Sequence, residues 1–539
     1  MTQSLNSSDQ TMSLPTLPRA FIVGSGIAAL SAAVLLIRDA GWRGRDIRIF
    51  EELPLAGGAL DGSGDAVAGF LTRGGRMWTE EAYVCLWDVL ASVPAAGDRS
   101  RSIKDVVWQF NAEVTTDAHA RLIDDSHRIL DASALGFDLH DRLDIVRLLA
   151  TPERLLGTRR IDDWFSPHFF ETNFWAMWRT TFAFQNWHSA AELRRYMLRF
   201  LQEFPRIHTL GGVRRTPLNQ YDSIVRPVQD WLALHGVVFE YGSRVLDADF
   251  TEDGNGRRLH ALHGERNGRP FTINLDRDDK AFLTLGSMTA DARRGGHDRA
   301  AELVREPLDG AWTLWKRLAR KAPGLGRPQA FCGDVDLSKW LSFTLTLRNP
   351  ALIERIREFS GNAPGTGGLM TFKDSNWLMS IVVPHAPHFA NQPDGVWTVW
   401  GYGLFVDRPG NFVDKPMAAC TGREILTELV RHLGFTDILD QLLATSTAIP
   451  VMMPYITSKF ACREAGDRPA VVPKGALNYA LLGQYVEIPE DVVFTVEYSV
   501  RSAMHAVYGL LGIERPIPPV YHAIADPSAA LAAMKTLVG

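Results

Sequence analysis

The chain has 539 residues, 46% of them hydrophobic and 22% charged, and its 57 Lys+Arg against 62 Asp+Glu leave a net charge of −5. That is the usage of a large globular protein able to bury its own core, and it excludes global disorder and collagen-like structure. No block of like charges marks a nucleic-acid footprint, so a small-molecule substrate is expected.

Four cysteines, Cys85, Cys332, Cys420 and Cys462, form no CxxC pair and no disulfide frame, which fits a reducing cytoplasm. Residues 1–19 are polar and lack the apolar stretch of a signal peptide. Ala20 to Ile37 is an uncharged, mostly apolar run of 18 residues, long enough to suggest a membrane helix. It contains Gly24-Ser25-Gly26, however, and a tight turn there divides it into a short strand and a helix.

In chain order, Ala20–Val23 reads as a strand, Ile27–Ala40 as an alanine-rich helix and Ile47–Phe50 as a second strand ending in Glu51-Glu52. This βαβ order implies a parallel sheet. Within it, Gly24-x-Gly26-x-x-Ala29 has the spacing of a dinucleotide fingerprint. Gly24 allows the turn, Gly26 lets the backbone approach a pyrophosphate, and small Ala29 lets helix pack on strand. The helix N-terminus favours the phosphates, and Glu51 is placed to accept the ribose hydroxyls. Gly57-Gly58 and Arg73-Gly74-Gly75-Arg76 are candidates for a second Gly-rich contact. Gly483, after the strand-like Tyr479–Leu482, is a candidate for a third.

Further along, Cys85–Leu90 looks helical, and 140–205 has mostly helical spacing, with a helix start at Thr151-Pro152-Glu153. Apolar β-branched runs return at 235–250 and 270–285, the second ending in Gly286-Ser287 as a late strand of a dinucleotide-binding domain would. Residues 340–347, 376–383 and 395–405 read as strands. Thr421-Gly422-Arg423-Glu424 has the capping-box pattern and opens a helix over 421–435.

The segment Arg73–Arg76 followed by Cys85-Leu86-Trp87-Asp88 resembles the oleate hydratases, formerly called myosin-cross-reactive antigens. Glu192-Leu193-Arg194-Arg195-Tyr196, Asn219-Gln220-Tyr221-Asp222, Thr284–Met288, Trp400–Gly403, Met453–Ser458 and Gly466–Pro469 agree in the same order, so the resemblance spans about residues 20 to 520. It implies an FAD-binding enzyme that adds water to the cis-9 double bond of oleic acid to give 10-hydroxystearic acid, with no net redox change. The fold then expected is a Rossmann-like α/β flavoprotein. Its discontinuous FAD domain comprises 18–110, 210–300 and 450–515, its inserted substrate lobe 111–209 and 301–449, and its helical C-terminal segment 516–539.

The resemblance also implies roles for residues. Gly24, Gly26, Ala29, Glu51, Gly58, Arg73, Gly74, Gly75, Arg76, Ser287 and Gly483 are the expected FAD contacts. Tyr196 matches the family's proton donor, and a nearby positive charge, with Arg199 and Glu192 on its helix face, would make it a stronger acid. The family's base is a glutamate directly after RGGR, but Met77 stands there, and a thioether cannot take a proton from water. Glu80 and Glu81, one turn on, are the candidates to take over; otherwise protonation by Tyr196 lets positioned water attack without a base. The family's carboxylate clamp is a glutamine and a Thr-x-Asn-x-x-x-His cluster. Gln220 and His388 match, Val382 and Pro384 replace the threonine and asparagine, and a protonated His385 would compensate.

No metal site is expected. The partners implied are a long-chain unsaturated fatty acid, collected by peripheral membrane contact without a transmembrane segment, and a monomer or homodimer, with the short C-terminal region favouring the monomer. Two other readings share these motifs: a flavin-dependent fatty-acid isomerase or oxidoreductase, and a non-catalytic flavin or fatty-acid binder.

Overall fold

A computed structural model describes residues 17–74 and 77–538, so the calls on Gly75 and Arg76 fall outside the described residues. Strand β1 (Ala20–Val23), helix α1 (Ile27–Arg38) and strand β2 (Ile47–Phe50) form the expected βαβ unit. β1 lies at the centre of a five-stranded parallel sheet in the order Tyr479–Leu482, Lys280–Thr284, β1, β2, Val238–Glu240. A strand covered on both faces must be apolar throughout, and all four residues of β1 are buried. α1 is apolar on almost every side for the same reason, because it is packed between the sheet and the helix Val496–Leu511. The 18-residue apolar run is therefore two buried elements, broken at Gly24, whose φ of +88° is the left-handed region a turn requires. Among the described residues, no helix is long and apolar enough to cross a membrane.

The run 270–285 is not one strand. Arg269–Asn274 closes an antiparallel meander with Ser243–Asp253 and Gly256–Arg266, and after the turn Asp276–Asp279 the chain enters the parallel sheet at Lys280. Helix Gly310–Lys321 packs on that meander, with Lys321 Nζ 2.8 Å from Asp249. It thus belongs to the nucleotide unit although 301–449 was expected in the substrate lobe.

A second sheet of seven strands has Trp340–Leu347 between Ser446–Met453 and Trp397–Gly403, extended by Ser380–Val382, Met370–Phe372 and Leu122–Ile123, with Arg293–Arg294 at the other edge. Residues 293–294 and 450–453, expected in the FAD domain, are strands of this sheet. The expected strand 376–383 is shorter because Leu378 takes a left-handed turn, φ 47°. One face packs Leu341, Phe343 and Leu345 against helices Ala351–Ser360 and Gly422–His432, the latter opened by the expected Thr421/Glu424 capping box. Across the other face runs the hairpin Gly62–Asp65/Gly69–Thr72. Phe70 N donates to Thr346 Oγ1 at 2.8 Å and Thr72 N to Thr344 Oγ1 at 3.2 Å. This hairpin carries the chain from the Gly57-Gly58 turn of the nucleotide unit to Arg73 and Met77 on the second sheet.

Candidate active site

The C-terminal edge of the parallel sheet opens into a cleft walled by Gly24–Ala28, Glu51–Leu53, Gly57–Leu60, Arg73, Ser243–Val245, Thr284, Gly286–Thr289, Asp309–Ala311, Gly483–Tyr485 and Phe494–Val496. Ligands of open α/β sheets bind at this edge. Gly26 caps α1 with no side-chain hydrogen bond and no acidic residue follows in the first turn, so its first N–H groups have no side-chain acceptor. A Cβ built on Gly26 would meet nothing within 4 Å, whereas one on Gly24 would meet Thr284 Oγ1 at 3.0 Å. The loop is closed towards the sheet and open towards the cleft, which is what a pyrophosphate-binding turn needs.

Glu51 sits at the mouth of this loop. Its Oε2 accepts from Ser25 N at 3.0 Å and from the Ser25 hydroxyl, and its Oε1 accepts from Leu53 N at 2.8 Å. It shapes the fingerprint loop and keeps lone pairs for a ribose. Gly58, Ser287 and Gly483 lie on the cleft wall where cofactor contacts were sought. Ala29 does not; it is fully buried, and its smallness serves the packing of α1. Arg73 reaches the cleft, but its guanidinium is spent on Asp61 at 2.9 Å, Gly58 O at 2.7 Å and Thr289 O at 3.2 Å, so it braces the wall. Gly74 lies beyond it, in a second cavity. Sequence reasoning missed Asp309, Gln484 and Ser499, which reach the cleft through the fold without a local motif, and it assigned no contact to Thr284 of the Thr284–Met288 segment.

The second cavity shares the wall 494–496 with the cleft. Tyr196 lines it from helix Ala190–Arg199, which starts at the Ser189 cap. The ring is wedged among Phe182, Phe184, Phe200 and Phe460 with centroids 5.0–5.6 Å away. Its hydroxyl donates to Val493 O. The polar residues of the same helix are buried in ion pairs: Glu192 with Arg463 and Arg468, Arg195 with Glu153 and Glu487, Arg199 with Asp491. Asp491 also pairs with Arg501, and Arg501 with Glu497, whose carboxylate accepts from Cys85 N and Leu86 N. This network locks segment 487–501 onto the tyrosine helix.

It also overturns the expected activation of Tyr196. Burial raises its hydroxyl well above the usual 10, and Tyr83, Glu192 and Asp491 add to the rise against the opposing Arg199. Arg199 is turned to Asp491 and to Ala82 O, so Tyr196 is a firmly protonated donor and not a strengthened acid.

Met77 lines this cavity. Glu80 and Glu81 do not: both are exposed, with Glu80 4.0 Å from Arg214. The backbone bridge between Trp78 and Arg214 turns the chain outward just before them, which removes them as groups that reach in. Among the described residues, no carboxylate lines the cavity.

A third, smaller cavity is lined by Gln220, His385 and His388 together with Val382, Pro384, Thr216 and Arg215. The predicted clamp residues are therefore brought together, but the expected charge is absent from the histidines. Burial, with Arg215 and then His385 nearby, holds His388 down at about 3, and burial lowers His385 as well. Both rings are neutral at physiological pH. The cation here is Arg215, which the sequence reading passed over; its one sequence signal is the Arg214-Arg215 pair just ahead of Asn219-Gln220.

The fold and these cavities define an α/β protein with a cleft at the C-terminal edge of its parallel sheet joined to an apolar chamber. The chain belongs to the MCRA family, whose model matches residues 18–508. It is 38% identical over 518 residues to an oleate hydratase of Streptococcus pyogenes serotype M49 (strain NZ131), covering 94% of this chain and 87% of that one. It is 33% identical over 542 residues to a linoleate hydratase of Lactiplantibacillus plantarum, covering 92% and 94%. Among solved structures, an oxidoreductase from Methanosarcina mazei superposes with a TM-score of 0.51 at 12% identity, covering 90% of this chain and all of that one. A redesigned putrescine oxidase does so with 0.52 at 11% identity, covering 92% and 99%. At such identities these two establish the fold alone.

Proposed function

We propose that this protein is a fatty acid hydratase that adds water across the cis-9 double bond of oleic acid to give 10-hydroxystearic acid, with FAD in the cleft and no net redox change. The observation that carries the reading is the placement of Tyr196. Tyr196, a protonated tyrosine, lines a chamber that shares its 494–496 wall with the cleft at the sheet edge, in a chain whose curated relatives are hydratases.

An isolated alkene is unpolarised, so its hydration needs a proton donor over one carbon and a water at its neighbour, both away from bulk solvent. Tyr196 is the donor to C9. Met77 and the tryptophans Trp78, Trp340 and Trp400 give the chamber its apolar wall. As C9 takes the proton, positive charge grows on C10, and a water held there adds without a carboxylate to deprotonate it beforehand. The proton that this water sheds restores the Tyr196 hydroxyl. Gly24, Gly26, Glu51, Gly58, Ser287 and Gly483 would hold FAD, which supplies polarity and shape at the shared wall when bound.

Anaerobic incubation with oleate, reduced FAD and H₂¹⁸O tests the reading: a hydroxy acid carrying the label supports it. A shifted double bond, oxygen or NAD(P)H consumption, or oleate bound but unchanged would overturn it in favour of an isomerase, an oxidoreductase or a binding protein.

A further inference from the structure

The Tyr196 chamber and the His388 cavity adjoin, with Arg215, Val382 and Trp400 lining both. Arg215 Nε and Nη2 are out of contact with solvent and have no hydrogen-bond partner, and no described carboxylate pairs with the guanidinium. Burial lowers it from 12.5 to about 10, which leaves it charged at neutral pH. A guanidinium with two of its three nitrogens cut off from water and with no counter-ion is a costly arrangement for a fold to hold. The buried arginines elsewhere have acceptors: Arg195, Arg199, Arg468 and Arg501 have carboxylates, Arg121 has carbonyl and hydroxyl oxygens, and Arg179 has the Gln185 amide oxygen.

The surroundings say what kind of ligand would complete the site. The two histidines are neutral, Gln220 offers an uncharged amide 3.4 Å from Thr216 Oγ1, and Val382 and Pro384 are apolar. Among the described residues, one fixed positive charge therefore stands at the junction of two otherwise uncharged cavities, and a guanidinium presents a planar fork that suits a carboxylate. We propose that Arg215 is the counter-ion of the fatty-acid carboxylate, which seats in the cavity of Gln220 and His388 while the hydrocarbon chain passes Val382 and Trp400 to reach Tyr196. The charge that a family clamp of glutamine, threonine, asparagine and histidine does not supply here comes from the loop just ahead of Asn219-Gln220. Arg215 is then the residue that selects acids over neutral lipids.

This inference rests on the hydratase reading for the identity of the ligand, and its test separates the two. Stearate and stearyl alcohol, neither of which can react, are titrated into the FAD-loaded protein with intrinsic tryptophan fluorescence as the readout. Wild type should prefer the acid by about 10- to 100-fold, the worth of a hydrogen bond to a charged group. Arg215→Met and Arg215→Gln should lose that preference by weakening stearate alone, with stearyl alcohol binding, FAD occupancy and folding preserved. Removal of an unbalanced charge should also leave the melting temperature of the ligand-free protein unchanged or higher. With oleate as substrate the loss should fall on KM, with kcat close to wild type.

No preference for the acid in wild type would overturn the proposal whether or not the variants fold. So would variants that weaken acid and alcohol alike, or that melt lower, since both mark a structural arginine. A fall in kcat at constant KM would place the charge at the reacting carbons instead. If wild type binds stearate in this way yet never hydrates oleate, the hydratase reading fails and the carboxylate site stands.

Discussion

Asp309 offers a measure of how the cofactor cleft is charged. It caps helix Gly310–Lys321, accepting from Ala311 N at 2.7 Å, and it lines the cleft beside Glu52. Burial, then Glu52, with Asp291 and Glu51 further off, pushes its carboxyl up from 3.8 to about 7. A raised acid holds in the folded state a proton that the unfolded chain has already lost. Stability therefore falls as pH rises from about 4 to about 7 and is flat above. Roughly three units at 1.36 kcal/mol each set a ceiling of about 4 kcal/mol, and because the cleft is open on one side, screening reduces this to about 2 kcal/mol. Asp309→Asn keeps a side-chain oxygen for the cap and removes the ionisation. The ligand-free variant should gain about 2 kcal/mol over wild type at pH 8 and little at pH 4.5, measured by thermal or urea unfolding at both. An equal gain at both pH values, or none at pH 8, would refute the crowding of carboxylates in this wall.

Gly26→Asp has room for its side chain, with φ of −68° and no atom within 4 Å of the new Cβ, so the protein should fold while the added carboxylate repels the pyrophosphate. Equilibrium dialysis should show FAD binding abolished, and retained affinity would remove the cleft assignment. Tyr196→Phe keeps the ring among its aromatic neighbours but strips the proton, so hydratase turnover should drop by about 10²–10⁴ with FAD still bound. The Val493 carbonyl left unpaired should lower stability by about 1–3 kcal/mol, read by urea unfolding. Glu80→Gln and Glu81→Gln should each stay within a few-fold of wild type, because both carboxylates face solvent; a hundredfold loss in either, with flavin bound, would show that one of them reaches the water.

The nucleotide loop was legible because its parts are neighbours in the chain. β1, the Gly24–Gly26 turn, α1 and β2 lie within about thirty residues, and local sterics force small residues at the turn and apolar ones in a strand covered on both faces. Tyr196, Gln220 and His388 were singled out only by resemblance, and the structure places them on the walls of two adjoining cavities; a helical tyrosine or a lone histidine has no local pattern that separates a site from a core.

What the tertiary structure alone decided is charge and exposure. Whether Glu80 reaches a cavity depends on a bridge to Arg214, whether Tyr196 is a stronger or weaker acid depends on where Asp491 draws Arg199, and whether His385 carries a proton depends on how deeply strands from other parts of the chain bury it. Each of these is set by groups tens to hundreds of residues away, because burial and pairing are properties of the packed assembly. The sequence by itself determined which residue types were available and where the glycine turn of the βαβ unit lies. Only packing could leave Arg215 without a partner between two cavities, because a cation's lack of a counter-ion is a statement about every chain segment around it.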